Sequence, residues 1–152
     1  MGTPLDEQTS KEEEIVPYVQ QMIETNPSGP AVDGGALVEC IGACFDCAQA
    51  CIACADACMG EGDLQMLARC IRLDLDCAEV CNATGKILSR QTAFDEEMAR
   101  VVVEACARAC RVCGEECEQH AEHGMEHCGV CAGACRRCES ACDNLLRVMV
   151  GG

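Results

Sequence analysis

From Cys40 to Cys58 the chain reads CIGACFDCAQACIACADAC, six cysteines with successive gaps of four, three, four, three and four. This spacing restricts the fold more than any other feature of the sequence. A strand would repeat every second residue, and a small disulfide knot would cluster its cysteines. The three–four alternation is that of one helix face. At about 100° per residue, Cys40 and Cys58 project at the same angle, and the four between them stay within about 40° of it. The pattern continues with Cys70, Cys77 and Cys81, then Cys106, Cys110, Cys113 and Cys117, then Cys128, Cys131, Cys135, Cys138 and Cys142. Every gap inside a segment is three, four or seven residues. The chain is an irregular repeat of four cysteine-striped helices.

Helix punctuation falls between the stripes. Residues 1–30 form a polar lead, with a short helix expected from about Lys11 to Glu24 that Pro17 kinks or restarts. NPSGP at 26–30 breaks the chain. Asp33 suits the N-cap of the first striped helix, which ends near Met59–Gly60. Asp63 caps the second, running to about Arg90. Thr92 or Asp95 caps the third, running to about Glu122. Gly124 stops it, and the fourth takes the chain to about Val150. No segment alternates as a strand does. Short loops make each helix an antiparallel neighbour of the next, so residues 31–152 are expected to form an all-α, up-down antiparallel four-helix bundle. A three–four stripe is the face that helices turn toward one another. The thiols therefore take the seats that leucines usually hold.

Such a core needs an explanation. With no Trp, one Tyr and two Phe, the usual large fillers are missing. The residues between the thiols are mostly Ala and Gly, as in CAGAC and CARAC. A bundle filled only by these side chains is under-packed unless something else occupies it. One or two cysteines pack as small hydrophobes; eighteen on four inward stripes call for another reason.

The compartment and the partners are bounded by what surrounds the stripes. The N-terminal MGTPLDEQTSKEEE has no basic-then-apolar leader and lacks Ser or Thr at the sixth position for myristoylation. No uninterrupted apolar run reaches the about 18 residues of a membrane span. The expected setting is a reducing cytoplasm, where cysteine clusters more often mean metal than disulfide. A net charge of −15 with scattered basic residues argues against nucleic acid.

Among metals, the spacing discriminates. Parallel side chains at i and i+4 suit disulfide geometry badly. The C-x₂-C-x₂-C-x₃-C-P run of ferredoxins is absent. Structural zinc takes separate sets of four ligands, whereas these thiols form a continuous row. Soft thiolates select Cu(I), among other soft metals, and Cu(I) suits a continuous row because it accepts two or three sulfur ligands. Eight C-x₃-C pairs recur, at 40/44, 47/51, 54/58, 77/81, 106/110, 113/117, 131/135 and 138/142. Charge sets the stoichiometry: a lone buried thiolate and a lone buried Cu⁺ are each costly. One Cu⁺ replacing one thiol proton leaves the core neutral.

The four striped helices, the repeated C-x₃-C pairs and the histidines after the third stripe resemble the bacterial copper storage proteins, in their cytosolic branch. The similarity covers residues 33–150. It implies a bundle whose lumen carries many Cu(I) ions, assembled as a homotetramer, with the eighteen cysteines named above as copper ligands. The second stripe departs from the even pattern: it has three cysteines, and Asp74 lies at its edge where another thiol would fit.

An up-down bundle places Cys58, Met59, Asp63, Met66, Cys117, His120, His123, His127 and Cys128 at one end. Leu37, Leu88, Phe94, Val102, Leu145, Leu146 and Met149 fall at the other. The first end is expected to admit copper and the second to be an apolar plug. His120, three residues after Cys117, continues the ligand row, and His123 and His127 join it as candidates. The function expected is non-enzymatic storage and buffering of Cu(I). The alternatives are a zinc or general soft-metal buffer, a thiol redox enzyme, and a metal-free scaffold. A uniform row singles out no reactive pair of the kind redox catalysis uses.

Overall fold

The computed structural model describes residues 16–150, and the described residues form helices joined by short turns. These are α1 Tyr18–Thr25, α2 Gly34–Met59, α3 Leu64–Ser89, α4 Glu96–Glu122 and α5 Glu126–Val150. Pro17 stands immediately before α1 with φ −59°. A ring that fixes φ and lacks an N–H can precede a helix but interrupts one that runs through it. The short helix thus restarts after Pro17; the part expected from Lys11 to Ile15 lies outside the described residues.

The starts of α2, α3 and α4 share one device. Asp33 accepts the Ala36 N–H at 2.8 Å, Asp63 the Met66 N–H at 3.1 Å, and Asp95 the Met98 N–H at 2.8 Å. Each carboxylate satisfies a donor that the first turn leaves without a partner. Asp95 is the cap of α4; Thr92, the other candidate, instead shares a hydroxyl hydrogen bond of 3.0 Å with Ser28. Gly124 follows α4 at φ +91°, a left-handed conformation that glycine adopts without strain.

The four long helices close a ring, α2 on α3, α3 on α4, α4 on α5 and α5 back on α2, while α1 leans on α2. All eighteen cysteines are buried and none is disulfide-bonded. Gly85 brings α3 close to α2: a Cβ there would stand 2.8 Å from the Phe45 ring. By length and composition α2 is apolar enough to cross a membrane, and half of that stretch is buried inside the bundle. Its apolarity is that of Cys and Ala facing the lumen, and Glu39, Asp46 and Asp56 interrupt it.

Most conventional hydrophobes gather at one end, with fully buried Leu67 the exception near the other. Leu37, Ile41, Leu88, Val103 and Leu145 are fully buried, Met149 nearly so, and Phe94 and Leu146 pack half-buried beside them. Val103 points inward at this end, and Val102, which the sequence also places here, is half-buried beside it. Val103 lies three residues before Cys106, in register with the stripe, and Val102 is turned about 100° away. Buried Gln91 seals the cap: its amide donates to the Leu88 carbonyl at 2.6 Å and its oxygen accepts the Ala31 N–H at 2.8 Å.

Candidate metal centre

The thiols form a connected column along the bundle axis. At the plug end the Cys40 and Cys142 sulfurs are 3.7 Å apart. Next, Cys44 lies 3.8 Å from both Cys106 and Cys138. At mid-height Cys81 meets Cys110 at 3.6 Å, and Cys47 meets Cys135 at 3.7 Å and Cys77 at 4.0 Å. Cys131 meets Cys51 at 3.7 Å. Nearer the mouth, Cys70 is 3.9 Å from Cys117, Cys54 is 3.8 Å from Cys128, and Cys58 is 4.0 Å from Cys128. These separations far exceed the roughly 2.05 Å of a disulfide. They match two thiolates on one metal: with bonds of about 2.3 Å, sulfurs subtending 110–120° lie roughly 3.8–4.0 Å apart.

The sulfurs group into clusters whose ligand atoms all lie within 4.8 Å of one another. Five of these are Cys44/Cys106/Cys138/Cys142, Cys47/Cys81/Cys110/Cys138, Cys47/Cys51/Cys77/Cys135, Cys51/Cys113/Cys131/Cys135 and Cys54/Cys58/His127/Cys128. Cys138, Cys47, Cys51 and Cys135 each belong to two of them. The clusters therefore overlap, and any full occupancy requires sulfurs that bridge metals.

Asp74 completes the α3 stripe. It is fully buried, and its Oδ1 accepts from the thiols of Cys113 at 3.1 Å, Cys131 at 3.3 Å and Cys117 at 3.4 Å. Its Oδ2 is buried with no hydrogen-bond partner. Burial pushes its carboxyl up to about 8, and the nearby Cys131 adds to the rise. The sequence carried the signal: 70, 74, 77 and 81 are spaced four, three and four, the same seam as in α2. Burial likewise raises the Cys58 thiol, and that of Cys128 to about 11, so neither ionises readily without a cation to replace its proton.

The histidines sit unequally at the mouth. His127 points Nδ1 toward Cys54 at 3.4 Å and Cys128 at 3.5 Å, and its Nε2 donates to Glu61 Oε1 at 3.0 Å. His120 is buried, 8% exposed, with Nε2 on Glu116 Oε1 at 3.1 Å. His123 is exposed at the end of α4. Met59 and Met66 are exposed, and Asp63 acts as a helix cap. Sequence reasoning missed both carboxylates. Glu116 lies one helical turn before His120 and was legible from spacing, whereas Glu61 reaches His127 across 66 residues and left no local trace.

A ring of helices around overlapping thiol clusters is the architecture of a protein that holds many soft-metal ions at once. The chain belongs to the copper storage protein family, whose model matches residues 35–147. The Streptomyces lividans copper storage protein Ccsp, solved with 10 copper equivalents, is 51% identical at a TM-score of 0.82, covering 86% of this chain and 98% of that one. A cytosolic copper storage protein from Streptomyces lividans, solved with five coppers, is 54% identical at a TM-score of 0.72, covering 74% of this chain and 93% of that one. The Cu(I)-bound copper storage protein BsCsp3 is 36% identical at a TM-score of 0.61, covering 70% and 94%. The cysteine-rich protein YhjQ of Bacillus subtilis is 38% identical over 106 residues, 70% of this chain and 92% of its own.

Proposed function

We propose that the protein stores and buffers Cu(I) in the cytoplasm, acting as a binding protein and not as an enzyme, with all eighteen core cysteines as ligands. The overlap of the thiol clusters carries this reading. Of the five named above, three at most can be filled without sharing a sulfur, because Cys138, Cys47, Cys51 and Cys135 are held in common. Zinc, which takes four ligands of its own in a structural site, would engage eleven of the eighteen thiols in three such sites and leave seven unused. It would also bring two positive charges against four thiolates in a water-poor core. Cu⁺ on bridging thiolates, with one proton released per ion, fills the column and keeps it neutral. Asp74 lends its carboxylate to the middle of the array. His127 and His120 extend the ligand row to the mouth, and His123 stands outside it. The cytosolic Streptomyces relative, the unpaired thiols and the acidic surface support the compartment.

Titration of the reduced apo-protein with Cu(I) against a competing chelator tests this. Capacity is expected on the order of 18–20 ions per chain, from the one-to-one charge balance. Saturation near three to five, or preferential filling by zinc at equal supply, refutes it in favour of a zinc-type buffer.

A further inference from the structure

The mouth contains two imidazole–carboxylate pairs, and their construction differs. His120 leans on Glu116 of its own helix, which also meets Arg69 Nε at 3.5 Å. His127, in the first turn of α5, is held by Glu61, which lies in the turn between α2 and α3. The backbone of Glu61 is held in that turn, its N–H donating to the Cys58 carbonyl at 3.1 Å. A neutral imidazole offers one N–H and one lone pair, and a carboxylate only accepts. With Nε2–H spent on Glu61, the lone pair is on Nδ1, and Nδ1 faces the sulfurs of Cys54 and Cys128.

Given the copper-storage reading above, on which this rests, we infer that Glu61 is the positioning residue of the mouth: it aims the Nδ1 of His127 at Cys54 and Cys128 as the nitrogen that receives Cu(I) and passes it to the thiols. A hydrogen-bonded carboxylate behind a ligating histidine fixes ring orientation and tautomer and raises the ring's basicity, and loss of such a partner costs about 10–100-fold in metal affinity or activity. No copper ligand of the lumen need be altered for that cost to appear. The opposite reading is a latch: Glu61 and His127, 37% and 26% exposed at their side chains, merely tie the α2–α3 turn to α5 over the opening. The two readings predict opposite signs, because removing a latch opens the mouth and speeds uptake.

The experiment compares the whole protein with Glu61→Ala and Glu61→Gln, and uses Glu97→Ala, exposed at the far end of the bundle, as control. Cu(I) on a weak chelator is the probe in stopped-flow mixing. In the apo-proteins, the ¹H–¹⁵N signal of the His127 Nε2–H is read by NMR. Glu61→Ala is expected to slow the first uptake phase about tenfold and to lose the Nε2–H signal to solvent exchange. Glu61→Gln, whose amide oxygen still accepts, is expected to restore the signal and most of the rate. Glu97→Ala is expected to behave as wild type. Uptake by Glu61→Ala that is faster or unchanged, or an Nε2–H signal that persists in it, overturns the inference. Because the NMR readout needs no copper, it stands apart from the storage reading, which fails only if the wild type takes up few ions.

Discussion

The two ends of the lumen are made by the same four helices and differ in almost everything else. At the plug, Leu37, Ile41, Leu88, Val103, Leu145 and Met149 fill the space, and Gln91 ties the adjoining loops together. At the mouth, two histidines, two carboxylates and the thiols of Cys58 and Cys128 converge, with Met59 and Met66 exposed beside them. Neither an ion nor a proton crosses a dry apolar layer cheaply, because nothing there replaces its hydration. Imidazole and carboxylate groups supply such replacement. The difference is what the proposed function divides between them: a plug to stabilise the fold, a column to hold the cargo and a mouth to exchange it.

The strongest way to break that division is to attack the plug. Leu145 is fully buried, so Leu145→Ala removes apolar contacts and leaves a cavity. A loss of about 2–5 kcal/mol is expected in the urea unfolding of the reduced apo-protein. Copper uptake should keep its rate and copper capacity its value. A mutant that unfolds more easily and also loads markedly faster would mean the plug is a door.

The middle of the column gives a second, smaller test. The Asp74 carboxyl is raised from 3.8 to about 8, so the folded apo-protein keeps a proton that the unfolded chain has released. Between those two values the native state binds more protons, and stability therefore falls as pH rises. It is greatest below about pH 4, and the contribution is fully lost above about pH 8. Asp74→Asn removes that slope. Between pH 5 and 7 the wild type should lose roughly 2 kcal/mol more than the variant, measured by chemical denaturation under reductant. Parallel pH profiles would show that the carboxyl does not hold its proton in the core.

Much of this was written in the cysteine spacing. The four stripes, their caps at Asp33 and Asp63 and the stop at Gly124 rest on local periodicity and turn chemistry, which a sequence displays directly. The direction of the thiols followed as well, because the angle a stripe projects is a property of one helix. Asp74 was in phase with its stripe, yet an acid is not expected in a core, and composition outweighed register. Val103 was not legible as the inward residue of its run, because an apolar run hides its own phase. Glu61 could not be read at all: its meeting with His127 depends on how α5 closes onto the α2–α3 turn, which no local pattern encodes.

The last test separates histidines that share the mouth but not its geometry. His127 faces two sulfurs, and His120 is buried against Glu116 on the stripe of α4, whereas His123 is exposed where α4 ends. If copper is passed inward by imidazoles aimed at thiols, composition at the mouth is less important than direction. Joint replacement of His120 and His127 by Ala should slow uptake about tenfold or more, with capacity reduced by only a few ions. His123→Ala should stay within about twofold of the wild type, since its ring sits outside the ligand row and its backbone role at the end of α4 survives in alanine. Stopped-flow uptake with a Cu(I) donor, followed by chelator-driven removal, measures both directions of exchange. An effect of His123→Ala as large as that of the pair would mean that the mouth works by local histidine concentration alone. The contrast between the two ends would then survive, but the aimed arrangement of Glu61, His127 and Cys54 would have no part in it.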